Sequence, residues 1–217
     1  MRLSTFAHSL ALSAVVLGLS ACETGGPARR LDDTSVPLMK PGYGLVATTL
    51  IERSRLYRTD QPIAVVTVGT TMAFYSPVRG SDGSAFVVQP RGETRASWVN
   101  PDQPGKAGRG YMAFLTPVKP GKYYLNTLLV GPMSHQESVH PKKEEPVFEV
   151  REGEVTYAGS VQMLTLAELS RGGYEPVRKS VEVVDEYAKD MALIRAKEPR
   201  LSAATIRNGL ARQAASN

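Results

Sequence analysis

The chain has 217 residues, 42% of them apolar and 22% charged, with one cysteine and a formal net charge of +5 at pH 7. That composition suits one domain with appendages, or two small ones, and a lone cysteine excludes a disulfide within the chain. The positive residues are scattered and no basic stripe accompanies a nucleic-acid reading module, so a nucleic-acid partner is not expected.

Met1 and Arg2 give a positive start, an apolar run extends from about Ser9 to Leu19, and small Ser20 and Ala21 precede Cys22. The run is too short to span a bilayer, which takes ~20 apolar residues, and it has the three-part layout of a secretory signal. Leu19-Ser20-Ala21-Cys22 resembles a bacterial lipobox. The resemblance implies that the Cys22 thiol accepts a diacylglyceryl group. Residues 1–21 are then cleaved away, with Leu19, Ser20 and Ala21 flanking the cut, and long acyl chains hold the protein to a membrane. The other reading of Cys22, a buried free thiol, fits poorly before Glu23-Thr24-Gly25-Gly26-Pro27. Glu23, where an aspartate would imply inner-membrane retention, implies the outer membrane.

Residues 22–41 read as a flexible tether, rich in glycine, proline and mixed charge, spanning roughly 25 Å as a coil. Strand patterns begin at Gly42 and run to about residue 183. Leu45–Ile51, Ile63–Val68, Ala73–Ser76 and Ala85–Gln89 are rich in β-formers. Asp82-Gly83 between two apolar runs predicts a hairpin. Val99–Gly110 reads as a loop, and Tyr111–Thr116, apolar on both faces, as a central strand. Pro120-Gly121 predicts a type II turn into Tyr123–Val130. Val147–Val150 is a short strand. In Val155–Met163, the spacing aims Val155, Tyr157, Val161 and Met163 to one side and Thr156, Ser160 and Gln162 to the other, as in a half-buried strand. A last strand is expected over Val177–Val183.

Residues 184–217 change period. Tyr187, Ala188, Met191 and Ile194 fall at helical spacing over Asp185–Lys197, with Asp185 as a cap and Glu198-Pro199 as a stop. Leu201 to about Gln213 reads as a second helix. Packing on the strands is the expected role of the first helix, and partner binding is the alternative. The whole predicts a mainly β fold: an antiparallel Ig-like or transthyretin-like β-sandwich with a C-terminal helical tail.

Pro120-Gly121-Lys122-Tyr123-Tyr124-Leu125, Phe148-Glu149-Val150 and Gly153-Glu154-Val155-Thr156-Tyr157-Ala158-Gly159 together resemble a loose group of bacterial lipoproteins built on a small β-sandwich. The Pro-Gly-x-Tyr part is also similar to transthyretin-like and carboxypeptidase-regulatory-like domains. The resemblance covers about Pro120 to Met163 and implies fold and export. It supplies no catalytic residues.

Chemistry-bearing motifs are sparse. His135 and His140 with Glu137 lack the HExxH spacing of a zinc site and read as exposed loop histidines, so no metal is expected. Ser134-His135 is adjacency rather than a triad, and no GxSxG elbow is present. Gly105–Gly110 lacks the Lys-Ser/Thr of a phosphate loop. Tyr43, Tyr111, Tyr123, Tyr124 and Tyr157 read as core and cross-strand residues, with an aromatic ligand shelf as the alternative. The expected function is a non-catalytic binding or assembly module without cofactor, held to the membrane through acyl chains on Cys22 and facing an envelope protein partner. An envelope-remodelling hydrolase and a purely structural envelope protein are the alternatives.

Overall fold

A computed structural model describes residues 29–63, 71–103, 110–131, 136–141 and 146–210. The signal segment with Leu19, Ser20, Ala21 and Cys22 lies outside the described residues, as do 64–70, the glycine-rich 104–109, His135, 142–145 and the chain beyond 210. The fold is mainly β, two sheets and one helix.

The larger sheet contains β1 (Gly44–Leu56), β2 (Pro62–Ile63), β5 (Arg95–Trp98), β6 (Tyr111–Val118), β10 (Val155–Ser170), β11 (Gly173–Val184) and β12 (Ile206–Asn208). Its main order is β11-β10-β1-β6-β5, with β2 beside β1 and β12 beside β10. The smaller sheet contains β3 (Met72–Pro77), β4 (Phe86–Val88), β7 (Gly121–Val130), β8 (Glu137–Val139) and β9 (Phe148–Val150), in the order β4-β3-β7-β8 with β9 also on β7. β3 and β4 pair antiparallel across the Asp82-Gly83 turn, as the sequence predicts.

The expectation of a purely antiparallel sheet is corrected at its centre. β1 runs parallel to β10, and β12 also runs parallel to β10. Parallel neighbours need a crossover between them, and the strands of the smaller sheet lie within the β1–β10 connection. Pro120-Gly121 makes the corner where the chain passes from β6 in one sheet to β7 in the other. Gly121 has φ +155°, not the value near +80° of a type II turn. Glycine is needed there because a Cβ would lie 2.9 Å from the Gly83 backbone.

Two cores flank the larger sheet. One fills the space between the sheets, with Val46, Phe114, Tyr123, Leu128, Val161 and Met163 among its members. The other lies on the far face, where Leu45, Ala47, Leu115 and Tyr157 meet α1 (Tyr187–Lys197) and Leu31. A sheet covered on both faces explains why Gly44–Ile51 is buried without alternation.

β10 departs from the predicted half-buried pattern for the same reason and one more. Val155 and Tyr157 face α1, whereas Val161 and Met163 face the smaller sheet. The register to β1 slips between Ala47–Tyr157 and Thr49–Ser160, leaving one extra residue on β10. A bulge of this kind exchanges the faces of all that follows. Gly159 sits in it with φ +96°.

The tail and the tether also differ from expectation. One helix, α1, forms, but residues 201–210 complete a 3₁₀ turn (Pro199–Leu201) and add β12 instead of a second helix. Asp185 accepts the Tyr187 N–H at 3.1 Å and holds Asn208 at 2.9 Å, joining helix start to β12. Residues 29–41 are a docked strap rather than a flexible tether. Arg29 bridges Arg95 in parallel, Ala96 N–H donates to Arg29 O at 2.9 Å, and Leu31 is wholly buried.

Candidate functional site

Two polar clusters hold the outer layer to the larger sheet. At the first, Asp190 in the first turn of α1 meets three hydroxyls from three strands. Thr49 Oγ1 on β1 donates to Oδ2 at 2.6 Å, Tyr157 OH on β10 to Oδ2 at 2.6 Å, and Tyr111 OH on β6 to Oδ1 at 2.5 Å. Ser160 Oγ lies 2.9 Å from Thr49 Oγ1, and the Glu186 N–H donates to Tyr157 OH at 3.2 Å. Burial pushes the Asp190 carboxyl above the usual carboxylate range, against the downward pull of the three hydroxyls. Burial, then the adjoining carboxylate, pushes both Tyr111 and Tyr157 far above an ordinary phenol. Serine, threonine, tyrosine and aspartate in contact have the ingredients of acid–base chemistry, but Asp190, Thr49, Ser160 and Tyr157 are fully buried. A general acid must reach its substrate, so this cluster acts as a lock.

At the second cluster the strap is clamped by two guanidiniums and a carboxylate. Arg95, on β5, donates to the carbonyls of Asp33, Val36 and Pro37. Arg200 donates to Val36 O at 3.1 Å and Asp33 O at 3.0 Å, and grips Glu198 with Nε at 2.7 Å and Nη2 at 2.5 Å. Glu198 and Arg95, both buried, lie 3.6 Å apart. Burial, then the neighbouring Arg200, pulls the Arg95 guanidinium down, and the hydrogen bond to Glu198 raises that of Arg200. Two forked cations and one carboxylate thus satisfy carbonyls that a docked, irregular segment would otherwise bury unpaired.

The exterior carries two adjoining clefts of about 620 and 640 Å³ that share Lys122, Glu149 and Arg151. Three of their charged side chains, Glu149, Arg151 and Arg207, are in ion pairs. Arg151 meets Glu149 at 3.0 Å, and Arg207 meets Glu149 at 3.6 Å and Glu154 at 3.3 Å. The clefts can admit a polar ligand. The carboxylates that burial pushes up, Asp190 and Glu52, line neither of them.

The residues singled out in the sequence do not converge. Cys22, with Leu19, Ser20 and Ala21, lies outside the described residues, as does His135. His140 is exposed, with Nδ1 3.3 Å from Asn126 O, and no group of three metal-ligating side chains occurs among the described residues. The five tyrosines are dispersed. Tyr111 and Tyr157 lie under α1, Tyr123 is in the sandwich core edge-on to Phe86 at 5.1 Å, Tyr124 is half-buried on β7 opposite Ser76, and Tyr43 lies beneath Lys40 Nζ at 4.6 Å. Sequence reasoning missed Asp190, Arg95 and Glu198. The signal for Asp190 was its place in the Tyr187–Met191–Ile194 stripe, where an aspartate on an apolar face demands partners.

No known family model matches the chain, and neither does any curated protein. Among solved structures it is similar to a leucine-rich repeat protein from Bacteroides thetaiotaomicron at 10% identity with a TM-score of 0.32, over 56% of this chain. The match spans 14% of that protein.

Proposed function

We propose that this chain is a lipid-anchored outer-membrane protein of a bacterial envelope, joined to its bilayer by acyl chains on Cys22. Its sandwich serves as a non-catalytic binding or assembly module for an envelope partner. The observation that carries this reading is the docked strap. With residues from Arg29 onward packed on the sheet, the seven residue steps from Cys22 to Arg29 can span at most about 25 Å even if fully extended. Two forked arginines securing the incoming chain suit a domain held by its amino terminus. The lipobox-like Leu19-Ser20-Ala21-Cys22 supplies the anchor. The separation of the raised carboxylates from the clefts favours binding over catalysis. Kinship with Ig-like or transthyretin-like sandwiches is part of the proposal, supported by the two facing sheets and the sheet-switching corner at Pro120-Gly121.

The test is Cys22→Ser in a Gram-negative host. The native chain is expected to appear at mature length, labelled by radioactive palmitate and in the outer-membrane fraction. The variant should remain an unlabelled precursor with residues 1–21 attached. Mature-length Cys22→Ser protein in the membrane fraction would overturn the anchor.

A further inference from the structure

We infer that the tip of the β10–β11 hairpin is a second, non-covalent membrane contact, a finger that enters the headgroup zone of an anionic bilayer. β1 stops beside β10 at Leu56–Ala167, so the last pairs of the hairpin, Glu168–Glu175, Leu169–Tyr174 and Ser170–Gly173, project as a two-stranded ribbon. Leu169 and Tyr174 face each other across this ribbon and are 73% and 44% exposed. Tyr57, 50% exposed, stands at its base, where its N–H donates to Ala167 O at 2.9 Å. Val177, 49% exposed, lies at the slip in register that follows Pro176. Four of the six large exposed apolar residues among the described ones therefore gather on this ribbon and its base.

A tip this narrow cannot offer the roughly 800 Å² per partner of a stable protein interface. It is suited to bury its end ~5–10 Å into the headgroup boundary, as interfacial segments do. The charges agree with that occupant. Arg171 is exposed in the turn, and Arg58 and Arg178 are exposed at the base of the ribbon, Arg178 opposite Leu166; there guanidiniums can reach headgroup phosphates while their stems stay in apolar surroundings. Glu168 and Glu175 pair with each other on the opposite face from Leu169 and Tyr174, and Glu168 lies 3.8 Å from Arg58. The inference does not require the lipid on Cys22.

The test uses the chain from residue 23 onward, which lacks the signal and Cys22 but keeps every residue of both cores. It is sedimented with vesicles of phosphatidylglycerol and phosphatidylethanolamine, and with phosphatidylcholine alone. The expected result is affinity for the anionic vesicles at least about tenfold above that for the neutral ones. Leu169→Glu, and the pair Arg171→Ser with Arg178→Ser, should each lower that affinity about tenfold, with unchanged circular dichroism. Leu169→Trp in a Trp98→Phe background should shift its emission to the blue on binding. Absence of sedimentation, affinity indifferent to Leu169→Glu, or an unshifted emission in the bound state overturns the inference. So does binding to polyglutamate in place of vesicles, which would point to an acidic protein partner. Because Cys22 is absent from this assay, its failure leaves the anchor proposal standing, and failure of the anchor leaves this one standing.

Discussion

A carboxylate sealed from water beside no cation is costly unless hydrogen bonds compensate it. Asp190 meets that cost with hydroxyls from β1, β6 and β10, so one side chain ties α1 to three strands at once. Asp190→Ala would leave three buried hydroxyls short of a partner, and a loss of about 3 kcal/mol or more in urea unfolding is expected. Asp190→Asn keeps the shape and should cost less. The pH dependence follows from the direction of the shift. Burial raises the carboxyl in the folded state, so the folded chain holds its proton more tightly than the unfolded one. This contribution is complete below the ordinary carboxylate range near pH 4 and is lost as pH rises through the higher folded value. The stability of the native chain relative to Asp190→Asn should therefore shrink from pH 3.5 upward. Glu52 is raised for the same reason and contributes with the same sign, so both chains are compared in a Glu52→Gln background. A native chain that gains on Asp190→Asn as pH rises would contradict the assignment.

At the scale of elements, runs of β-branched and aromatic residues located β1, β3, β6, β7 and β10 because a pleated, buried surface selects those side chains. β5 was hidden. Arg95-Ala96-Ser97-Trp98 alternates an arginine and a serine with apolar residues, and its arginine is buried only because the strap brings carbonyls to it. The second helix was misplaced because Ile206 is drawn beside Val155 by the open edge of β10, a tertiary pairing that local spacing does not carry. The face exchange in β10 was equally illegible, since Gly159 marks a bulge only once its register with β1 is known. At that bulge, Gly159→Ala would place a Cβ 2.5 Å from Val183 Cγ1 and 2.7 Å from Leu210 Cδ1, at φ +96°. Strain and overpacking together should cost about 2–4 kcal/mol. A thermal melt would register this as a drop of several degrees, and an unchanged melt would refute the bulge.

For the whole molecule, the consequential difference lies in residues 29–41. Glycine, proline and mixed charge in residues 22–41 describe a chain that cannot fold alone, but they do not reveal that a sheet face waits for Leu31, Leu38 and Met39. That face is apolar where Val99, Ala113 and Leu115 line it, and among the described residues the strap, α1 and the tail around Leu201 and Ile206 cover it. The strap is therefore part of the fold, and its loss exposes one side of the larger sheet. Two deletions separate a tether from a strap. Removing residues 23–28 leaves Arg29, Leu31 and the rest of the docked strap in place, and the melting temperature is expected to stay within about a degree. Removing residues 23–41 uncovers Leu115 and strips Arg95 of its three carbonyl acceptors, leaving a buried cation with Glu198 and little else. Breaking a buried charged network in this way costs about 3–5 kcal/mol before the lost apolar burial is counted. The longer deletion should therefore melt far lower, expose apolar surface to a hydrophobic dye and become sensitive to protease. If both deletions melt alike, residues 29–41 do not hold the sheet. If only the longer one fails, the segment that leads toward Cys22 also closes the fold along the β5 edge of the sheet.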